Sequence, residues 1–247
     1  MVKQRLLYGA ALALLGTSYL TLLLDRTTVH SLVSEDGFFE YLGAFAMLVA
    51  AIAFLVAFIR SSSAANRQSW ALLPRLCLLG LAALFILAAG EEVSWGQRLF
   101  GFQTFEAVKT INRQEEFNLH NINLIDQFTQ GPFFLFTLFW FVLTIAVPAV
   151  ALFPPARRVL KKLVLILPLG LGFLGLTNYA LSKTAEALGP EAFGLPRLLL
   201  ADGRVEIQEA NLAVIAAITG VYVYRVMLSR HSEEAVASYS RTAEDRP

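Results

Sequence analysis

Residues 41–59 read YLGAFAMLVAAIAFLVAFI, nineteen consecutive positions without a charged side chain. As a helix rising ~1.5 Å per residue this run covers ~28 Å, close to the ~30 Å hydrocarbon core of a bilayer. Three further uncharged runs of that kind lie at 6–24, 132–153 and 163–182. Two more are short: 76–90, between Arg75 and Glu91, and 210–224, between Glu209 and Arg225, each of 15 uncharged residues.

The composition agrees. Of the 247 residues 56% are hydrophobic and only 16% charged, with a mean hydropathy of +0.59, whereas soluble domains are about a quarter charged. The formal net charge of +1 offers no basic excess for nucleic acid. Cys77 is the single cysteine, which rules out a disulfide framework and a cysteine-based zinc site.

These features predict an all-α fold, a polytopic membrane helical bundle with six spans (6–24, 41–59, 71–90, 132–153, 163–182 and 206–228) forming one domain over residues 1–229. Residues 91–131 would form a partly helical outer loop, and the Ser-, Arg- and Glu-rich end 230–247 a disordered cytoplasmic tail. Lys3 and Arg5 before the first run also suit a signal peptide. Its length, and the lack of a small-x-small cleavage site before Asp25, predict retention instead.

With both ends inside, the inner segments hold Lys3, Arg5, Arg60, Arg67, Arg75, Arg157, Arg158, Lys161, Lys162, Arg225, Arg230, Arg241 and Arg246, leaving seven basic residues outside. The excess predicts cytoplasmic termini and the cell's inner (plasma) membrane as location. The acids reinforce the pattern: only Glu233, Glu234, Glu244 and Asp245 fall inside. Polar chemistry is therefore expected on the extracytoplasmic side. Arg157, Arg158, Lys161 and Lys162 fix topology and suit contact with anionic lipid headgroups.

The two short spans point to a site. Fifteen residues rise only ~22 Å, so flanking charges are drawn to the hydrocarbon boundary. Arg75 and Arg225 can snorkel to the inner surface, whereas the shorter Glu91 and Glu209 should lie beneath the outer headgroups. An ionisable group at that depth is costly unless it serves a partner or a cavity. Glu206 shares a helical face with Glu209, and Glu116 one with His120. Glu92, Gln97, Arg98, Asn118, Asn121 and Asn211 are further polar company, with Trp95 at headgroup depth.

Carboxylates with one imidazole suit a divalent metal of Zn, Mn or Fe type, with Glu92, Glu116, His120, Glu206 and Glu209 as candidate ligands. They equally suit metal-free activation of water, in which crowding lets one carboxyl keep a proton beside an ionised neighbour.

Residues 91–98, EEVSWGQR, and 118–121, NLHN, resemble a family of uncharacterised bacterial multi-pass membrane proteins carrying E-E-x-S-W-G-Q-R and N-L-H-N. More faintly, the double Glu, the following Arg and a Phe before His120 are similar to the CAAX-type glutamate intramembrane proteases. That similarity implies a Glu and a His acting on water. Arg98 stands six rather than four residues after Glu92, Phe117 three rather than four before His120, and no second motif histidine occurs in the later spans.

The expected function is an enzyme, a hydrolase or transferase acting on a lipid or membrane-embedded substrate. Glu91 or Glu92 would be base or ligand, His120 acid or ligand, Glu209 a second ligand or proton acceptor, and Arg98 an anion clamp. Trp95, Gln97, Asn118 and Asn121 would contact substrate. The alternatives are a non-catalytic membrane assembly factor or receptor, and a proton-coupled transporter, which would need a polar route through both leaflets.

Overall fold

A computed structural model describes residues 2–34, 36–62, 71–110 and 132–244, the last eighteen of these by backbone alone. The fold is an all-α bundle with no strand among the described residues. Its helices are α1 (Val2–Leu20), α2 (Arg26–Val33), α3 (Phe38–Ser61), α4 (Leu72–Glu92), α5 (Gln97–Phe100), α6 (Glu106–Lys109), α7 (Pro132–Phe141), α8 (Val147–Val150), α9 (Pro154–Leu163), α10 (Leu169–Phe193) and α11 (Arg197–Glu244). Four helical stretches are long and apolar enough to cross a membrane: Leu6–Leu23, Arg26–Ser61, Leu72–Glu92 and Arg197–Val226.

The last of these, the first thirty residues of α11, is the most deeply buried and forms the axis of the bundle. It packs chiefly on α3, then on α10. Small residues make the α3–α11 contact: Gly43, Ala46, Ala50, Ala53 and Ala57 on one side, Ala210, Ala213, Ala216 and Gly220 on the other, all buried. A Cβ on Gly220 would stand 3.0 Å from the Ala53 Cβ. Where surroundings are as apolar as the helices themselves, such close van der Waals approach is what draws helices together. On the far side of α3, Phe54, Phe85 and Trp140 are fully buried and tie α3, α4 and α7 into one aromatic cluster.

The expected spans 132–153 and 163–182 are interrupted. A π-helical turn, Val142–Ala146, separates α7 from α8. Pro148 explains it, since it has no N–H to return to the helix four residues back. Thr144 meanwhile donates its hydroxyl to the Trp140 carbonyl at 2.8 Å. Gly172 lets α10 come close at this break, because a Cβ there would stand 2.6 Å from the Thr144 oxygen. Residues 164–168 are not helical, and α10 starts only after Pro168, which forces the preceding residue out of helical geometry.

Two other expectations need correction. The helix of the third span runs two residues past Gly90, to Glu92, so both glutamates belong to α4 rather than to the loop. The tail read as disordered continues α11 as helix to Glu244, consistent with the lack of any Gly or Pro between 225 and 244.

Candidate functional site

The site is built at the C-terminal end of α4. Beyond Val93, the three residues Ser94, Trp95 and Gly96 adopt left-handed backbone in succession, with φ of 45°, 54° and 75°. For Ser and Trp this geometry costs on the order of 1–3 kcal/mol each. It lays the indole of Trp95 on Gly90, where a Cβ would stand 2.9 Å from the ring. Trp95 Nε1 then donates to Glu91 Oε1 at 2.7 Å. Glu91 is thus engaged by its own loop.

Glu92, one residue on, turns toward α3 and α11. The point where a Cβ of Gly43 would stand is 3.2 Å from Glu92 Oε1 and 3.6 Å from Ala210 Cα. The carboxylate therefore occupies a slot between two helices that exists because Gly43 has no side chain and Ala210 a small one. Glu209, adjacent to Ala210, has Glu92 and Glu206 as the charged groups acting on it. Three carboxylates from α4 and α11 share one region of the helix interface.

The opposite face of α11 carries a second polar cluster. Asn178 Nδ2 donates to the Gln208 carbonyl at 2.8 Å. Tyr19 OH donates to Asn178 Oδ1 at 3.1 Å, and Asn211 Nδ2 donates to the same oxygen at 3.1 Å and to Ser18 Oγ at 2.8 Å. Asn178 and Asn211 are fully buried, and Asn211 Oδ1 accepts no hydrogen bond among the described residues. Asn211, expected beside the carboxylates, faces away from them because it lies two residues, about 200°, past Glu209.

The cluster continues to the surface. Arg204 reaches Ser182 Oγ at 3.5 Å and Glu186 at 3.4 Å, and Lys183 donates to Glu186 at 2.7 Å. Lys183 and then Arg204 hold the Glu186 carboxyl below its usual range.

Of the residues expected from sequence, Glu92 and Glu206 lie within electrostatic reach of Glu209, and Glu91 and Trp95 form a hydrogen-bonded pair. Gln97 is half-buried in α5, and Arg98 lies in the same turn, described by its backbone alone. Glu116, Asn118, His120 and Asn121 lie outside the described residues. Among the described residues no three His, Cys, Asp or Glu side chains gather closely enough to hold a metal ion. Gly43, Tyr19, Asn178 and Gln208 were not singled out in advance. For Asn178 the signal was available, as an amide inside the uncharged run 163–182, whereas Gln208 takes part through its backbone carbonyl, which no side chain announces.

No protein-family model, no curated protein and no solved structure matches the chain.

Proposed function

We propose that the chain is a multi-pass protein of the plasma (inner) membrane, with both termini cytoplasmic. In this reading it is an enzyme that hydrolyses, or transfers a group from, a lipid or another membrane-embedded substrate at its extracytoplasmic side. One observation carries the reading: the Glu92 carboxylate is seated between α3 and α11, over Gly43, in the company of Glu206 and Glu209. Carboxylates gathered among apolar helices are costly to keep and mark functional sites. Neighbouring carboxyls divide the work of catalysis, one holding a proton while another accepts one.

Glu92 is the proposed general base acting on water or on an acceptor hydroxyl, with Glu209 as the second proton-accepting group. His120 is the proposed general acid and Arg98 the clamp for an anionic group on the substrate. Trp95, paired with Glu91, walls the site toward the headgroups. The resemblance to glutamate intramembrane proteases is compatible with this chemistry, in which carboxylate and imidazole act on water.

The test is lipid turnover. Purified protein is incubated with a total membrane lipid extract, and the extract is compared by mass spectrometry with extracts treated with Glu92→Gln and Glu209→Gln. Wild type should convert at least one lipid species, and both variants should lose that conversion by about a hundredfold or more. Identical profiles for wild type and both variants, all folded by thermal melting, would remove the lipid-enzyme reading. They would favour the second one, a non-catalytic assembly factor or receptor, which the buried amide network linking α1, α10 and α11 also suits.

A further inference from the structure

A second feature lies where the chain leaves α8. A groove of about 250 Å³ is walled by Pro148, Leu152, Ile166 and Leu167, with Arg157 as the charged residue lining it. Pockets that enclose a whole small ligand are larger, roughly 300–1,000 Å³. A groove of this size and lining suits one end of a molecule whose remainder lies outside the protein.

The adjoining helix describes that molecule. In α9 the cations Arg157, Arg158, Lys161 and Lys162 fall on one side, and Val159, Leu160 and Leu163 on the other. None of the four cations makes an ion pair or side-chain hydrogen bond among the described residues. Apolar side chains at and just before this helix are exposed: Leu152 is 70% exposed, Phe153 67% and Val159 57%. A helix with a cationic side and an exposed apolar side lies in the headgroup plane of a bilayer.

We infer that this groove is a binding site for one anionic phospholipid, with an acyl chain against Pro148, Leu152, Ile166 and Leu167 and the phosphate on Arg157. The apolar walls would add nothing to the binding of a free phosphate, and the choline cation of a zwitterionic lipid would be repelled by the four cations of the adjoining helix. The inference requires the chain to reside in a bilayer and is independent of catalysis at Glu92.

The experiment is native mass spectrometry of the full chain released from detergent after titration with phosphatidylglycerol or phosphatidylcholine of the same acyl composition. Wild type should retain one phosphatidylglycerol per chain in preference to phosphatidylcholine, and excess inorganic phosphate should not release it. Arg157→Gln alters an exposed side chain with no ion pair or side-chain hydrogen bond among the described residues and should weaken retention about fivefold. Arg158→Gln, on the same charged face but off the groove, should change it less than about twofold. Equal retention of the two lipids, equal losses in the two variants, or release by phosphate would overturn the site. Equal losses in the two variants would leave a diffuse cationic surface in place of a site.

Discussion

Glu91 and Glu92 are chemically identical neighbours with different surroundings, because successive helical residues point about 100° apart. Glu91 faces the loop and accepts the Trp95 indole N–H, whereas Glu92 enters the slot over Gly43. The slot makes a prediction at this scale. Gly43→Ala places a Cβ 3.2 Å from Glu92 Oε1, a conflict that the end of a side chain relieves by a small shift, so the variant should melt close to wild type. Gly43→Ile adds atoms that also meet α11, and should lose roughly 1–3 kcal/mol. Adding Glu92→Ala to Gly43→Ile should restore part of that loss, since it empties the slot. Denaturant melts of the three variants and of Glu92→Ala alone check this, and strict additivity would show that Glu92 does not occupy the space.

At the scale of single elements, α2 shows local chemistry setting a helix start. Asp25 caps α2: its carboxylate accepts the amides of Thr27 and Thr28 at 3.1 and 3.0 Å and both of their hydroxyls. These bonds hold the Asp25 carboxyl far below the ordinary carboxylate range. A depressed native value means the cap contributes fully above the unfolded value, about pH 4, and loses its contribution as pH falls below it. Amide-exchange protection factors in α2 should therefore be flat above about pH 4 and decline below it. Asp25→Asn, which caps without titrating, should show no such decline, and Asp25→Ala should be poorly protected throughout. A decline of the same size in the Asn variant would assign the pH dependence elsewhere. Pro148 and Pro168 act at the same scale, and their effects on 132–153 and 163–182 were legible in the sequence as prolines inside apolar runs. Whether a proline bends a helix through a π turn or ends it depends on what accepts the freed backbone, and here α10 closes on the break through Gly172.

At the scale of the molecule, the topology is the property on which both proposed sites depend. Cys77 is the single cysteine, so a Cys77→Ala background allows single cysteines to report sidedness. Ser31, Glu106 and Glu191 are exposed and assigned outside, and Arg158 is exposed and assigned inside. Cysteines at the first three should react with an impermeant maleimide in intact cells, and one at Arg158 only after permeabilisation. Labelling of Arg158→Cys together with Glu106→Cys would break the proposed arrangement. Protection of Glu191→Cys would mean that α10, whose uncharged part before Lys183 is only 14 residues long, does not cross.

The sequence by itself determined that the chain is helical and apolar, roughly where its long apolar helices lie, and that Glu92 and Glu209 flank short uncharged runs. Those properties are local, set by run length, prolines, caps and charge spacing. Only the tertiary structure decided that Glu92 rather than Glu91 turns inward, that Asn211 faces Ser18 and Asn178 rather than the carboxylates, and that Tyr19 meets an amide 159 residues away. Each of these depends on the rotation of one helix against another. That rotation is set by which small residues let two backbones approach, and a pattern of similar apolar residues leaves it open.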